Sequence, residues 1–113
     1  MIKANHTVKI GSGKTIMVKG YLVGNGLFLH RSLEYGGNEQ TKMDYWTITH
    51  VNSGMSVVKF ESWPVQRKTI LEHIGILTAI DWDCQVAHIS QNHQMYFDAR
   101  LSFTNKVKEA TND

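Results

Sequence analysis

No aspartate or glutamate occurs before Glu34 in this 113-residue chain, and cysteine occurs once, at Cys84. A single cysteine excludes an internal disulfide framework and a closed cysteine-based zinc site. No apolar run is long enough to span a bilayer. Residues 1–6 lack the apolar stretch of a signal peptide, so a cytosolic, reducing location is expected. The six histidines, His6, His30, His50, His73, His88 and His93, are dispersed. They form no His-Glu-x-x-His string, and no metal or cofactor site is expected.

The missing acids make the charge lopsided. Lys3, Lys9, Lys14, Lys19 and Arg31 stand unopposed at the start of the chain. Seven Lys or Arg face three Asp or Glu over residues 1–60, and five face seven from residue 61 onward, giving the net charge of +2. A chain of this length forms one domain, residues 1–113, large enough to bury a core. A basic half beside a mildly acidic half steers an anionic partner to one side.

Period-two alternation runs through the first half. Ala4, His6, Val8 and Ile10 alternate with Asn5, Thr7 and Lys9, which marks a strand over residues 4–10. Gly11, Ser12, Gly13 and Lys14 read as a hairpin turn. A second strand covers 15–23, Gly24-Asn25-Gly26 turns the chain, and a third strand covers 27–35. Residues 36–40, with two glycines, read as a loop. The β-branched and aromatic run at 45–51 is a fourth strand, Asn52-Ser53-Gly54 a turn, and 55–60 a fifth strand.

The period then changes. Ser62 and Pro64 read as a helix entry, and Ile70, Leu71, Ile74 and Leu77 share a helical face over 64–80. Gly75 inside that helix points to close approach to the sheet. Trp63 and Trp82 bracket it as core anchors, with an exposed interface anchor as the other reading of either. Met95, Ala99, Phe103 and Val107 recur every four residues and predict a second helix over 90–110, and a strand before it at 85–89 is left open. The expected architecture is α+β: an antiparallel meander of about five strands, then one or two C-terminal helices on one sheet face. That face is expected to carry Val8, Ile10, Ile16, Val18, Leu22, Leu29, Trp46, Ile48, Val58 and Phe60.

The opposite face would then hold Thr7, Lys9, Met17, Lys19, Tyr21, Tyr45, Thr47, Thr49 and Lys59. Lysines beside tyrosines on a sheet suit single-stranded nucleic acid, with phosphates neutralised and bases stacked. The same composition is ordinary on a solvated sheet. Lys9, Lys19, Tyr21, Arg31, Tyr45 and Lys59 are therefore the candidate partner-binding residues.

Catalytic patterns are incomplete. Gly13-Lys14-Thr15 resembles the end of a P-loop, but Val8 stands where the first glycine belongs and a strand follows instead of a helix. A nearby acid disfavours a thiolate, so Cys84 beside Asp83 reads as a small buried hydrophobe rather than a nucleophile. Asp81 and Asp83 suit a helix end. A hydrolase or nuclease built on them with Glu72 and Lys68, or on His50, is the remaining enzymatic alternative. His50 also reads as a buried, hydrogen-bonded histidine.

The string Tyr45-Trp46-Thr47-Ile48-Thr49-His50-Val51-Asn52-Ser53-Gly54 resembles strings in small bacteriophage and mobile-element accessory proteins. The resemblance implies a non-enzymatic, anti-CRISPR-like inhibitor of a host defence component in the bacterial cytoplasm. Its partner would be a host protein or nucleoprotein complex, a single-stranded nucleic acid or a nucleotide, bound stoichiometrically by a monomer or small homo-oligomer without a membrane. Many such inhibitors are acidic nucleic-acid mimics; the basic N-terminal half here departs from that pattern. The runner-up is a nucleic-acid-binding domain using the basic face.

Overall fold

Five strands come first and three helices follow. The computed structural model describes residues 2–10, 13–34, 39–61 and 63–112. Strands β1 (Ile2–Lys9), β2 (Thr15–Gly24), β3 (Leu27–Arg31), β4 (Trp46–His50) and β5 (Ser56–Phe60) form one antiparallel sheet in chain order. Helices α1 (Arg67–Thr78), α2 (Val86–Gln91) and α3 (His93–Asn112) follow. This is the α+β meander that period-two alternation followed by a helical period dictates.

Three local expectations differ from the structure. β3 stops at Arg31, after which Leu33 makes an isolated bridge with Gln40. Tyr35 and most of the expected glycine loop lie outside the described residues, as do Gly11, Ser12 and the proposed cap Ser62. α1 begins at Arg67 with no side-chain cap at Gln66. Val65 stays outside the helix because its side chain is buried and its N–H donates to the Asp44 carbonyl at 2.9 Å, and Gln66 is extended. Residues 85–89 enter α2, not a strand.

The inner face of α3 is also turned from the expectation. Tyr96, Phe103 and Val107 are buried, while Met95 is exposed. Tyr96 wins the inner position because its ring packs edge-on to Trp82, with centroids 4.7 Å apart, and its hydroxyl donates to the Asp81 carbonyl. A satisfied polar tip lets the aromatic body enter the core.

The sheet buries both faces rather than one. Leu27, Leu29, Trp46, Ile48 and Phe60 pack with Ile70, Leu77, Trp82, Phe103 and Val107 of the helical layer. Each fully buried side chain contributes about 1.5–3 kcal/mol. Val8, Val18 and Phe28 form a second core, flanked by Ala4, Ile16, Leu22, Leu33 and Val51. The register places Tyr21 opposite Leu29, and Leu22 opposite Phe28. Val8, Ile16, Val18 and Leu22 therefore point away from the helices, which corrects the single face expected from alternation. Residues 27–30 of β3 are all buried, and a strand covered on both sides carries no alternation from which to set its phase.

The second core exists because the sheet curls. The Lys9 N–H donates to the Gly54 carbonyl at 2.8 Å, bringing the β4–β5 turn onto the end of β1. Inside the curl the polar groups are paired. Ser32 Oγ and Thr47 Oγ1 lie 2.7 Å apart. His30 donates from Nδ1 to the Arg31 carbonyl at 2.9 Å and accepts from the Thr49 hydroxyl at Nε2, at 2.8 Å. Thr47 and Thr49, expected on an exposed face, are thus buried.

The curl requires a missing side chain at Gly20. A Cβ there would lie 2.2 Å from the Leu29 carbonyl oxygen and 2.8 Å from the Phe28 ring. Gly75 is the opposite case: it is exposed, and a Cβ would meet nothing within 4 Å. It does not mark close approach to the sheet. Gly20→Ala is expected to destabilise by about 3 kcal/mol or more, because backbone must move. Gly75→Ala is expected to stabilise by about 0.5–1 kcal/mol through helix propensity. Urea denaturation of both variants checks the pair; equal midpoints would contradict this packing.

His30 yields a pH prediction. Burial holds its imidazole below the ordinary value of 6.5, against the opposing pull of its bond to the Arg31 carbonyl. The unfolded chain then binds a proton that the folded chain resists. Stability from this group is full above about pH 6.5 and is lost as pH falls through the folded value. The melting temperature should therefore drop between pH 7 and 5. His30→Asn keeps a donor for the Arg31 carbonyl but does not titrate, so its melting curve should start lower and change less over that window.

Candidate anion-binding groove

The helical layer covers β3 to β5 and the Tyr21–Val23 end of β2, and leaves the same face of β1 and the rest of β2 open. Strand alternation sends odd-numbered residues there. Lys3, Asn5 and Lys19 are exposed, and Tyr21 is half-buried. The register sets Lys3 opposite Tyr21, Asn5 opposite Lys19, and Arg31 opposite Trp46. Arg67, the first residue of α1, reaches over from the helical layer. Together these residues line an open groove of about 560 Å³. Binding sites for small ligands span roughly 300–1,000 Å³.

Both arginines are stacked on aromatic rings. The Arg67 guanidinium carbon lies 4.8 Å from the centre of the Tyr21 ring, and that of Arg31 lies 4.8 Å from the Trp46 ring. Arg67 also donates to the Tyr21 hydroxyl. Each stack contributes about 0.5–1 kcal/mol at a partly exposed site and fixes the plane of the cation. Arg31 is further tied by donation to the Lys42 carbonyl at 3.1 Å and by Asp44 at 3.4 Å. Its charge is partly answered. Lys3, Lys19 and Arg67 have no carboxylate partner among the described residues.

Gln40 braces the groove. Its carboxamide accepts from the Lys19 N–H at 2.9 Å and donates to the carbonyls of Lys19, at 2.9 Å, and Arg31, at 3.1 Å. The β2–β3 ladder begins only at the Gly20–His30 pair. Gln40 takes the place of a strand partner for Lys19, whose backbone groups would otherwise rely on water.

Of the residues singled out from sequence, Lys19, Tyr21 and Arg31 meet in this groove. Lys9 is at the other end of β1, about 20 Å from Lys3 along the strand. Lys59 pairs with Thr47 and belongs to the opposite face of the sheet. Tyr45 precedes β4, where its carbonyl accepts from the Ser32 N–H at 2.8 Å, and it does not line the groove. Lys3, Asn5, Trp46 and Arg67 escaped the sequence reading. Lys3 was within reach, since it shares the parity of Lys19 across the hairpin. Arg67 was not, because only tertiary packing brings α1 to Tyr21.

The other candidates have structural occupations. Thr15 after Lys14 opens a strand, so the P-loop geometry is missing. Asp81 Oδ1 accepts from the Asp83 N–H at 2.8 Å, and Asp83 Oδ1 accepts from Asn52 at 3.2 Å. Cys84 is partly buried, with its sulfur 3.6 Å from the Tyr96 hydroxyl. Burial, then the bond to Cys84, push the Tyr96 phenol up to about 12. His50 is buried and shares a 2.7 Å bond between Nδ1 and Ser53 Oγ, as its place in the strand suggested. Trp82 is a core anchor; Trp63 is partly buried, its ring centroid 5.4 Å from that of Phe60. Among the described residues, no three His, Cys, Asp or Glu side chains gather as a metal site. None of the described helices is long and apolar enough to cross a membrane.

Comparison with protein-family models, curated proteins and solved structures found no match for this chain. The groove therefore has to be read from its own chemistry.

Proposed function

We propose that the protein is a non-enzymatic binding module that takes a phosphate-bearing strand, single-stranded nucleic acid, into the groove between β1, β2 and α1. The observation that carries this reading is the alignment of Lys3, Lys19 and Arg67, cations without carboxylate partners among the described residues, along one concave surface. Lysine ammonium groups neutralise phosphates as point charges, and guanidinium planes accept a stacked base on their outer side. Trp46 is itself too buried to stack a base; it serves as the platform under Arg31. The phage-accessory resemblance fits the same surface: stoichiometric occlusion of the nucleic acid in a host nucleoprotein complex would inhibit without catalysis.

Fluorescence anisotropy with a labelled 12-nucleotide oligo-U or oligo-dT, at several salt concentrations, tests the reading. Lys3→Gln, Lys19→Gln and Arg67→Gln should each weaken binding and flatten its log–log salt slope by about 0.7, the release expected per phosphate contact on a single strand. Tyr21→Ala removes the ring and the hydroxyl that seat Arg67, and should weaken binding and flatten the slope about as Arg67→Gln does. Lys9→Gln and Lys59→Gln should bind nearly as the parent does. Equal losses from Lys59→Gln and Lys19→Gln would show that bulk charge, not the groove, holds the strand.

A further inference from the structure

A second concavity is of another kind. It lies between the β4–β5 turn and helices α2 and α3, with a volume of about 140 Å³. Its walls are largely apolar: Trp82, Ile89, Tyr96 and Phe97, with Met55 and Val86. Phe97, Val86 and Met55 are 44%, 42% and 49% exposed, far more than aromatic and aliphatic side chains that merely fill a core. An apolar cavity of about 150 Å³ in another protein holds one benzene ring. This cavity is of that size.

Ser53, Ser56 and His93 also line it, and two further polar features separate it from a packing defect. His50 lines it, is 2% exposed, and its Nε2 has no hydrogen-bond partner among the described residues. Leaving a buried polar atom unpaired is costly. The hydrogen bonds around Ser53 define what Nε2 offers. Ser53 Oγ accepts from the Met55 N–H at 3.1 Å and lies 2.7 Å from His50 Nδ1. The arrangement that uses the hydroxyl hydrogen has Ser53 donating to Nδ1. The imidazole proton is then on Nε2, an unpaired donor buried just behind the cavity lining. The second feature is Arg100, which also lines the cavity. It is the one Lys or Arg side chain among the lining residues, none of them is Asp or Glu, and no ion pair engages it among the described residues.

We propose that this cavity is a binding site for a small aromatic monocarboxylate of benzoate size. The ring fills the apolar space against Trp82 and Tyr96. One carboxylate oxygen accepts from His50 Nε2–H, and the Arg100 guanidinium neutralises the charge. The site is separate from the basic groove and does not depend on the function proposed for it.

Titration with benzoate, benzyl alcohol and benzylamine, followed by two-dimensional NMR, tests the assignment. The indole N–H signals give an internal control, because Trp82 lines the cavity and Trp46 lines the groove. Benzoate is expected to shift the Trp82 signal and leave that of Trp46 in place, with a Kd at or below about 1 mM. Benzyl alcohol should bind at least about tenfold more weakly, and benzylamine, whose charge Arg100 repels, more weakly still. Arg100→Gln, at an exposed position, should cut benzoate affinity about tenfold and leave that for benzyl alcohol unchanged. His50→Phe keeps the ring and removes the donor, and should weaken both; if it fails to fold, the Arg100→Gln comparison decides. The proposal is overturned if the three probes bind alike, if benzoate moves Trp46 and not Trp82, or if no probe binds at about 10 mM.

Discussion

Gly26 is the point at which sheet and helices are locked together. Its φ is 85°, and a Cβ there would lie 2.6 Å from both the Trp82 carbonyl carbon and the Asp83 nitrogen. The β2–β3 turn can approach the α1–α2 connection only because that side chain is absent. Hydrogen bonds then fasten the contact. The Trp82 N–H donates to the Asn25 carbonyl at 2.9 Å, and the Asn25 side chain donates to the Thr78 carbonyl. The Trp82 indole donates to the Leu77 carbonyl at 2.8 Å. Asn52, from the β4–β5 turn, donates to Asp83 and to the Cys84 carbonyl, each at 3.2 Å. Two hairpin turns thus hold one short linker, and the helical layer is hung from it. Arg67 at one end of α1 and Tyr96 on α3 take their places from this anchor.

The curl of the sheet decides which surface stays open. A flat sheet with helices on one side would expose the whole of its other face. Here the far face closes on itself, because Lys9 reaches Gly54 and Phe28 fills the space over Gly20. The apolar residues of β1 and β2 are used inside the curl, so their polar residues turn toward the helical side. The helices do not extend far enough to cover them. A surface that would otherwise be core is left lined with lysines, and this is why Lys19 and Tyr21 continue the same face as Leu29 and Ile48.

Much of the architecture could be read from the chain. Alternation marked the strands, the turn glycines marked the hairpins, and the period change after residue 60 marked the helices. Sequence failed where burial is two-sided. Leu27, Phe28, Leu29 and His30 are all inside, so β3 transmits no phase between the first hairpin and the second, and alternation alone gives the two hairpins a common core. The same failure moved Lys59, Thr47 and Thr49 onto the wrong surface. Gly75 misled for a simpler reason: a helix glycine signals contact only when something lies over it, and here nothing does. The basic groove was half legible. Lys19, Tyr21 and Arg31 follow from the run without acids, whereas Arg67 depends on a tertiary contact that no local pattern encodes. The His50 cavity was not legible at all, because its walls come from a turn, a linker and two helices.

Arg67 also changes how the charge asymmetry should be understood. The first 60 residues are basic and the rest mildly acidic, which suggests a binding half and a supporting half. Yet the stacked guanidinium over Tyr21 comes from the acidic half, and the Asp44 carboxylate that tempers Arg31 comes from the basic one. Tyr21 and Trp46 are the shared elements: each belongs to the sheet and carries an arginine across its ring. The two arginines are therefore held at fixed positions, unlike the exposed Lys3 and Lys19, and less of their conformational entropy is lost when a partner settles on them. That pre-organisation depends on α1 being docked, which Ile70 and Leu77 do in the core and the Trp82–Gly26 contact does just past its end. A groove assembled across both halves is complete only in the folded chain, so an isolated pair of basic strands would carry the charge without the geometry.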